Sequence, residues 1–474
     1  EMVGADVRVL HGGDFLYPSL ESQLWHGQQM VEAFNYMDDI APMFVVAGNH
    51  EFDRRTPETL VNAVRASRFD WIGDNYRFNT GASDVDNALH SGFTYVHNGR
   101  KVGVFSLTLH PDDGGTDRDY VPINRDYLGI ARRTIEQFEA QDVDLIIGLT
   151  HLHMSTDVEI ARLKREHPKL AFIVGGHEHE PEYSPAAEDS AAVMKGASNA
   201  REIWLIEVTF DAAGLPIVSG ELVPVDTSIE EDADYALIVD KWRARLLAVY
   251  PFLESGVGRA AMPMDATEET IRNQETSWGN FIVDQMRGAF GEPQADLAFI
   301  NSGTLRIDDY IADDIQFEDI ARTFGFSSFL RYLPISGSEF RQLMEAGYRG
   351  AGPSKGYFPQ VSGFRVCVDR SRESLDRIVS LQVPTEGGWQ EIEADREYVL
   401  VIPDFLFRGG DGYQLPEHRK ASASRPGSEL KYLVLDGIVR AQAEGRSVGK
   451  PVDPANPRYV ELGPERVDCW NPTG

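Results

Sequence analysis

Four short apolar runs in the first 180 positions each end in a polar station. Residues 7–10 precede Gly12-Gly13-Asp14, 43–47 precede Gly48-Asn49-His50-Glu51, 145–149 precede Thr150-His151-Leu152-His153, and 171–174 precede Gly175-Gly176-His177-Glu178-His179. Runs this short, rich in Val, Ile and Leu and closed by Gly or Thr, predict buried parallel strands whose carboxyl ends collect on one sheet edge. Between them, 21–37 and 127–139 predict helices, and Thr156 with Glu159 forms a capping box for a helix running to Arg165. Segments 93–96 and 102–107 flank Asn98-Gly99, a hairpin signal. Strands interleaved with helices predict a layered α/β domain.

Beyond His179 the pattern changes. A Pro-, Glu- and Ser-rich stretch at 180–190 predicts a loop, 203–210 a strand and 211–214 a turn. A polar passage at 225–234 precedes 235–250, where Ala236, Leu237, Val239, Trp242, Leu246 and Leu247 fall near helical spacing and predict a linking helix. The pattern restarts at 256–265, and 277–290 predicts the helix that opens a second domain. The expected organisation is therefore a first domain at 1–225, a linker helix at 226–257 and a second domain at 258–474. In the latter, Asn301-Ser302-Gly303-Thr304-Leu305-Arg306 follows the strand-like 297–300, and Phe358 to Gly363 precedes a strand through Cys367. Asp404-Phe405-Leu406 then leads into Gly409-Gly410-Asp411-Gly412-Tyr413. By themselves these are glycine-containing strand ends with an arginine, an aromatic ring and an acid nearby.

The residue types at the four stations suit a two-metal phosphoesterase. Hydrolysis of a phosphate ester near neutral pH needs an activated water and positive charge on the developing oxyanions, and two cations about 3.5–4 Å apart supply both. One carboxylate can bridge the ions, while imidazole and amide oxygen favour Zn, Mn or Fe over Ca, with Mg also admissible. His11 reads as a strand-end polar residue. His153 and His167 read as solvent or helix-start contacts rather than ligands.

The formal net charge of −30, from 45 Lys plus Arg against 75 Asp plus Glu, argues against nucleic acid or an anionic membrane as partner. It also requires cations and a few placed arginines to reverse the local field wherever phosphate binds. No run of eighteen apolar residues spans a bilayer, and no signal segment is recognisable in the given chain. Two cysteines, Cys367 and Cys469, make no disulfide framework; they either pair or stay free.

The segments Gly48-Asn49-His50-Glu51-Phe52-Asp53 and Gly175-Gly176-His177-Glu178-His179 resemble the signatures of the 5′-nucleotidase/UDP-sugar hydrolase family of calcineurin-like metallophosphoesterases, and the resemblance extends over nearly the whole chain. It implies an N-terminal four-layer α/β/β/α sandwich and a C-terminal α/β substrate-binding domain. It makes Asp14 the bridging ligand, gives Asn49, His151 and His177 to one metal and His179 to the other, and makes His50 the catalytic group that Asp53 orients. In the second domain it implies that Phe358 and Phe405 sandwich a nucleobase, Asp411 accepts from ribose hydroxyls, and Arg306 and Arg349 contact phosphate or ribose oxygens. The implied activity is hydrolysis of nucleoside 5′-phosphates with two divalent cations, in the periplasm or outside the cell. Rotation of the second domain about a hinge near 235–250 is implied too, and the oligomeric state stays open.

Two departures qualify the match. The family has an Asp-x-His station before the Gly-Asp station, and none precedes Asp14 in the given chain. At 324–329, Phe-Gly-Phe-Ser-Ser-Phe stands where the family has Pro-Phe and an Asn, which leaves base preference open between an alternative apolar wall and plain core packing. The same scaffold admits 2′,3′-cyclic nucleotide, nucleotide-sugar or sulfur-ester hydrolysis, or nucleotide binding by an inactive metal centre.

Overall fold

The strands of the first unit are β1 (Val9–His11), β2 (Met43–Val46), β3 (Asp70–Ile72) and β4 (Leu89–His90), which form a parallel sheet in that order. A second sheet contains β5 (Phe93–His97), β6 (Arg100–Thr108), β7 (Leu145–His151), β8 (Leu170–Gly175), β9 (Glu182–Ser184) and β10 (Ala192–Lys195), in the order β5-β6-β7-β8-β10-β9. Its four inner strands are parallel and its edges antiparallel. The computed structural model describes residues 7–311, 313–350, 355–422, 425–463 and 466–470.

Every residue of β7 is buried, which is why it reads as an unbroken apolar run rather than an alternating one. Ile147 and Leu149 face a core shared with Phe44, Val46 and Trp71 of the first sheet, while Ile146 faces Ile135, Phe138 and Ile160. The helices Gln28–Ile40 and Glu58–Ala66 cover the first sheet through Val31, Phe34, Leu60 and Val64. Tyr127–Glu139 and Met154–Ala161 cover the second. The layers run helix, sheet, sheet, helix, as the resemblance implies. A hairpin of β11 (Glu202–Phe210) and β12 (Pro216–Pro224) lays Trp204, Ile206 and Val208 against the shared core.

Three local expectations meet the structure. The helix expected at 21–37 is two helices, Leu20–Trp25 and Gln28–Ile40, because the backbone turns left-handed at His26 and Gly27. A Cβ on Gly27 would stand 2.5 Å from the Leu16 side chain. The helix expected to start at the Thr156 capping box starts at Met154 with His153 as its N-cap. At Asn98-Gly99 both residues have positive φ, 48° and 75°, as the hairpin signal demands.

The chain divides into two compact units between Val249 and Tyr250. The helix expected as a linker, Ala233–Val249, packs within the first unit. Its Trp242 ring lies 5.2 Å from that of Trp25, and its indole N–H donates to Glu32 Oε2 at 2.8 Å.

The second unit is built on a five-stranded sheet in the order Pro359–Ser362, Leu297–Asn301, Glu397–Pro403, Phe329–Ser336, Arg425–Glu429. A four-stranded sheet runs Gly388–Glu391, Ile378–Thr385, Arg365–Asp369, Tyr459–Leu462. The helix Ser277–Gly288, capped by Thr276, packs Trp278, Ile282 and Met286 into its core. Cys367 and Cys469 form a disulfide across 102 residues of sequence.

That bond removes conformational freedom from the unfolded second unit. Replacing both cysteines by Ser should destabilise this unit by about 2–5 kcal/mol and leave the melting of the first unit in place. Calorimetry with and without reductant measures the difference, and coincident losses in both units would contradict it.

Candidate functional site

The four stations sit at the carboxyl ends of β1, β2, β7 and β8, and glycines let the loops after them touch. A Cβ on Gly12 would lie 2.5 Å from the Gly176 nitrogen, one on Gly13 would lie 2.4 Å from the Gly48 nitrogen, and one on Gly48 would lie 2.2 Å from Asp14 Oδ1. Asp14, His177 and His179 have positive φ values of 62°, 83° and 68°. Non-glycine residues held left-handed cost on the order of 1–2 kcal/mol each and persist where surrounding contacts over-determine them.

His151 is 1% exposed. Its Nδ1 donates to the Gly12 carbonyl, which turns Nε2 toward Asp14 Oδ2 at 3.1 Å and Asn49 Oδ1 at 3.1 Å. Burial would raise the Asp14 carboxyl, but the charges of His151 and His50 and the bonds they donate hold it far below the usual range. Burial opposes charge on His151, and Asp14 overcomes it and raises the imidazole. Both shifts favour charge on the two members of the pair. The ring of His177 stands 5.3 Å from that of His151 and 4.6 Å from that of His153. Burial, then the charges of His151 and His153, push His177 well down, so it stays neutral.

Among the described residues no three His, Cys, Asp or Glu side chains close around a single point. What converges on His151 Nε2 is a mixed set, the Asp14 carboxylate and the Asn49 amide oxygen, with the His177 ring alongside. A carboxylate, an amide oxygen and imidazoles fit one borderline-hard divalent ion once His151 gives up its proton, and the Gly12 carbonyl supplies the outer hydrogen bond that ligating histidines usually make. His179 lies two residues on, its carbonyl accepting from Ser198 N–H at 2.7 Å.

His50 Nδ1 meets Asp53 Oδ2 at 2.9 Å, and both side chains keep some exposure, 14% and 21%. The His50 backbone N–H donates to Asp14 Oδ1 at 2.7 Å, tying this pair to the Asp14 turn. His11 accepts from Gly13 N–H at 3.1 Å and packs against Phe34; burial and His151 lower it to about 4 despite Asp14. His153 Nε2 lies 2.9 Å from the Asp113 carbonyl, and His167 Nδ1 lies 2.9 Å from Glu139 Oε2.

In the second unit Asp411, left-handed at φ 52°, accepts from Asn301 Nδ2 at 2.7 Å, and its carbonyl accepts from Arg349 Nη1 at 2.8 Å. The Arg349 guanidinium lies 3.6 Å from the Tyr357 ring centroid. Arg306 stands over Phe326 at 5.3 Å, with Nη1 3.8 Å from Glu268 Oε1. Burial raises the Asp411 carboxyl against the pull of Asn301, Arg349, Arg306 and Arg272. Phe405 covers Gly410, where a Cβ would lie 2.5 Å from its ring, and is 40% exposed. Phe358 is instead 2% exposed, edge-on to Tyr348 and Tyr459 in the core. Of the aromatic run, Phe324 is core, Phe326 underlies Arg306 and Phe329 is 43% exposed.

Sequence reasoning gave no role to two residues that shape these sites. Arg272, 6% exposed, pairs with Glu268 at 2.6 Å beside Arg306. Glu51, 1% exposed, accepts from four backbone N–H groups: Asp14 at 2.8 Å, Phe15 at 2.7 Å, Leu16 at 3.1 Å and Gly48 at 2.6 Å. The signal for Glu51 was its place beside Asn49 and His50.

Residues 6–181 match the model of the calcineurin-like phosphoesterases, and 256–418 match that of the 5′-nucleotidase C-terminal domain. The chain is a calcineurin-like metallophosphoesterase with a 5′-nucleotidase C-terminal domain. It is a hydrolase of phosphoric esters, from a family that uses divalent metals. It is similar to the 5′-nucleotidase of Bos taurus, 23% identical over 93% of this chain and 82% of the relative. Similarity to the trifunctional nucleotide phosphoesterase protein YfkN of Bacillus subtilis is 24%, over 86% of this chain and 30% of that protein. In fold it is similar to a 5′-nucleotidase precursor from Thermus thermophilus, with a TM-score of 0.76, 23% identity and coverage of 93% of this chain and 87% of that one. It also resembles the sulfate thiohydrolase SoxB of Thermus thermophilus, with a TM-score of 0.74, 14% identity and coverage of 97% and 80%.

Glu51→Gln places an N–H donor against the amides that the carboxylate satisfies. The first unit should lose about 2–5 kcal/mol in denaturant unfolding. A loss under about 1 kcal/mol would show that the amide cluster does not depend on this charge.

Proposed function

We propose that the enzyme removes phosphate from nucleoside 5′-phosphates using divalent ions held by Asp14, Asn49, His151 and His177 in the first set and by Asp14 and His179 in the second. When bound, the ions supply an activated water and positive charge for the phosphoryl oxygens. The residues themselves do the rest. Asp53 fixes His50 through Nδ1, so that Nε2 is the atom that steadies the transferring phosphoryl group or donates to the leaving oxygen. The second unit supplies groups suited to a nucleoside: the half-open ring of Phe405 for the base, the Asp411 carboxylate for a vicinal diol, and Arg306 and Arg349 for anionic oxygens. Phe358 packs in the core against Tyr348 and Tyr459. The observation that carries the reading is the Phe405-Gly410-Asp411 turn with its arginines, because a simple phosphomonoesterase has no use for it.

Zn, Mn or Fe suits the donor set, with Mg a weaker fit. The disulfide supports a periplasmic or extracellular location. Among the described residues no helix is long and apolar enough to cross a membrane.

Phe405→Ala should lower kcat/KM for AMP by about 1–3 kcal/mol and leave hydrolysis of a base-free phosphate ester nearly unchanged. Equal losses on both substrates would remove Phe405 from base binding, and release of phosphate from cyclic, sugar or sulfur esters alone would move the substrate to one of those classes. His50→Ala should keep the metal content and lower turnover on the order of 10²–10⁴. Because the proton between His151 and Asp14 must leave before a cation enters, metal uptake should release protons and weaken as pH falls. Titration of the apoprotein in two buffers of different ionisation enthalpy measures this directly.

A further inference from the structure

Lys195, the last residue of β10, is 1% exposed and lies within the fold rather than at its surface. Its ammonium donates to two backbone carbonyls, that of Gly176 at 2.9 Å and that of Leu152. It also forms an ion pair with Asp157 on the helix Met154–Ala161, with Nζ 2.8 Å from Oδ2. Asp157 is 0% exposed. Leu152 follows His151 and Gly176 precedes His177, so one cation joins the backbones of both histidine-bearing loops.

An ion pair this deeply buried is costly to desolvate, and apolar replacements are often neutral or stabilising for a fold. Stability alone therefore gives little reason for Lys195 here. Geometry gives a better one. His151 and His177 reach the ligand set from different strands, and His177 does so from a left-handed backbone two residues past the end of β8. A point charge that grips the carbonyl just after one histidine and just before the other fixes their separation, and Asp157 holds that charge in place from the covering helix. We propose that Lys195, anchored by Asp157, is a positioning residue that sets the spacing of His151 and His177 for the metal. The inference rests on the reading of those histidines as ligands.

The test compares Lys195→Met and the double variant Lys195→Met/Asp157→Leu with the wild type. Hydrogen exchange followed by mass spectrometry should quicken by about tenfold or more in 150–154 and 174–179, with the rest of the first unit unchanged. Zn affinity measured by chelator competition should fall about 10–100-fold, and kcat at saturating Zn should return toward the wild-type value, which loss of a ligand would prevent. The double variant, lacking an orphaned charge, should melt near the wild-type temperature. Unchanged exchange in both loops, or a uniform rise across the unit, would overturn the proposal. A wild-type protein that takes up no Zn would overturn the ligand reading instead, while the exchange measurement would still report on the brace.

Discussion

Glu51 is the point on which the first unit's chemistry depends. Four amides from two different loops end on its carboxylate, so the turn that presents Asp14 and the turn that presents Asn49 are held by one side chain. Without such an acceptor, N–H groups of buried loops at strand ends would have no partner. The close approach of the loops follows from the same arrangement, since Gly13 faces Gly48 and Gly12 faces Gly176 at distances no side chain fits. The left-handed backbone of Asp14 is tolerable because its neighbours on both sides are hydrogen-bonded to Glu51 or pressed against glycine.

The local field follows from this geometry. A chain of net charge −30 concentrates three carboxylates, Asp14, Glu51 and Asp53, around the first two strand ends, and offsets them with imidazoles and backbone N–H groups. The second unit uses arginines instead. There Arg272, Arg306 and Arg349 gather beside Asp411, with Glu268 and Asp308 as further counter-charges. Each unit thus carries a local charge pattern that the bulk composition does not reveal.

What was legible in the sequence was whatever repeats along it. Buried strands produce apolar runs and polar residues at their ends produce the stations, so β2, β7 and β8, and the half-buried β1, could be placed at once with their polar termini. Asn98-Gly99 was legible because its conformation is a property of two adjacent residues. Groups whose role arises from distant partners were hidden: Glu51 meets Phe15 and Leu16 across 36 and 35 positions, and Lys195 meets Leu152 across 43. The helix at 21–37 was misjudged because apolar periodicity does not register the left-handed backbone of His26 and Gly27 that divides it. Phe358 lies edge-on to Tyr348 and Tyr459, ring contacts that its own motif does not name.

The disulfide has a topological consequence. The loop it closes, from Cys367 to Cys469, contains Phe405 and Asp411, and the first unit contains no cysteine at all. A protease that cuts one bond within 368–468 therefore leaves two pieces still covalently joined, and the cut ends remain at high effective concentration to each other. A single cut in the first unit gives fragments held only by packing. Under proteolytic attack the two halves of this enzyme should fail differently: the second unit nicked but whole, the first free to come apart.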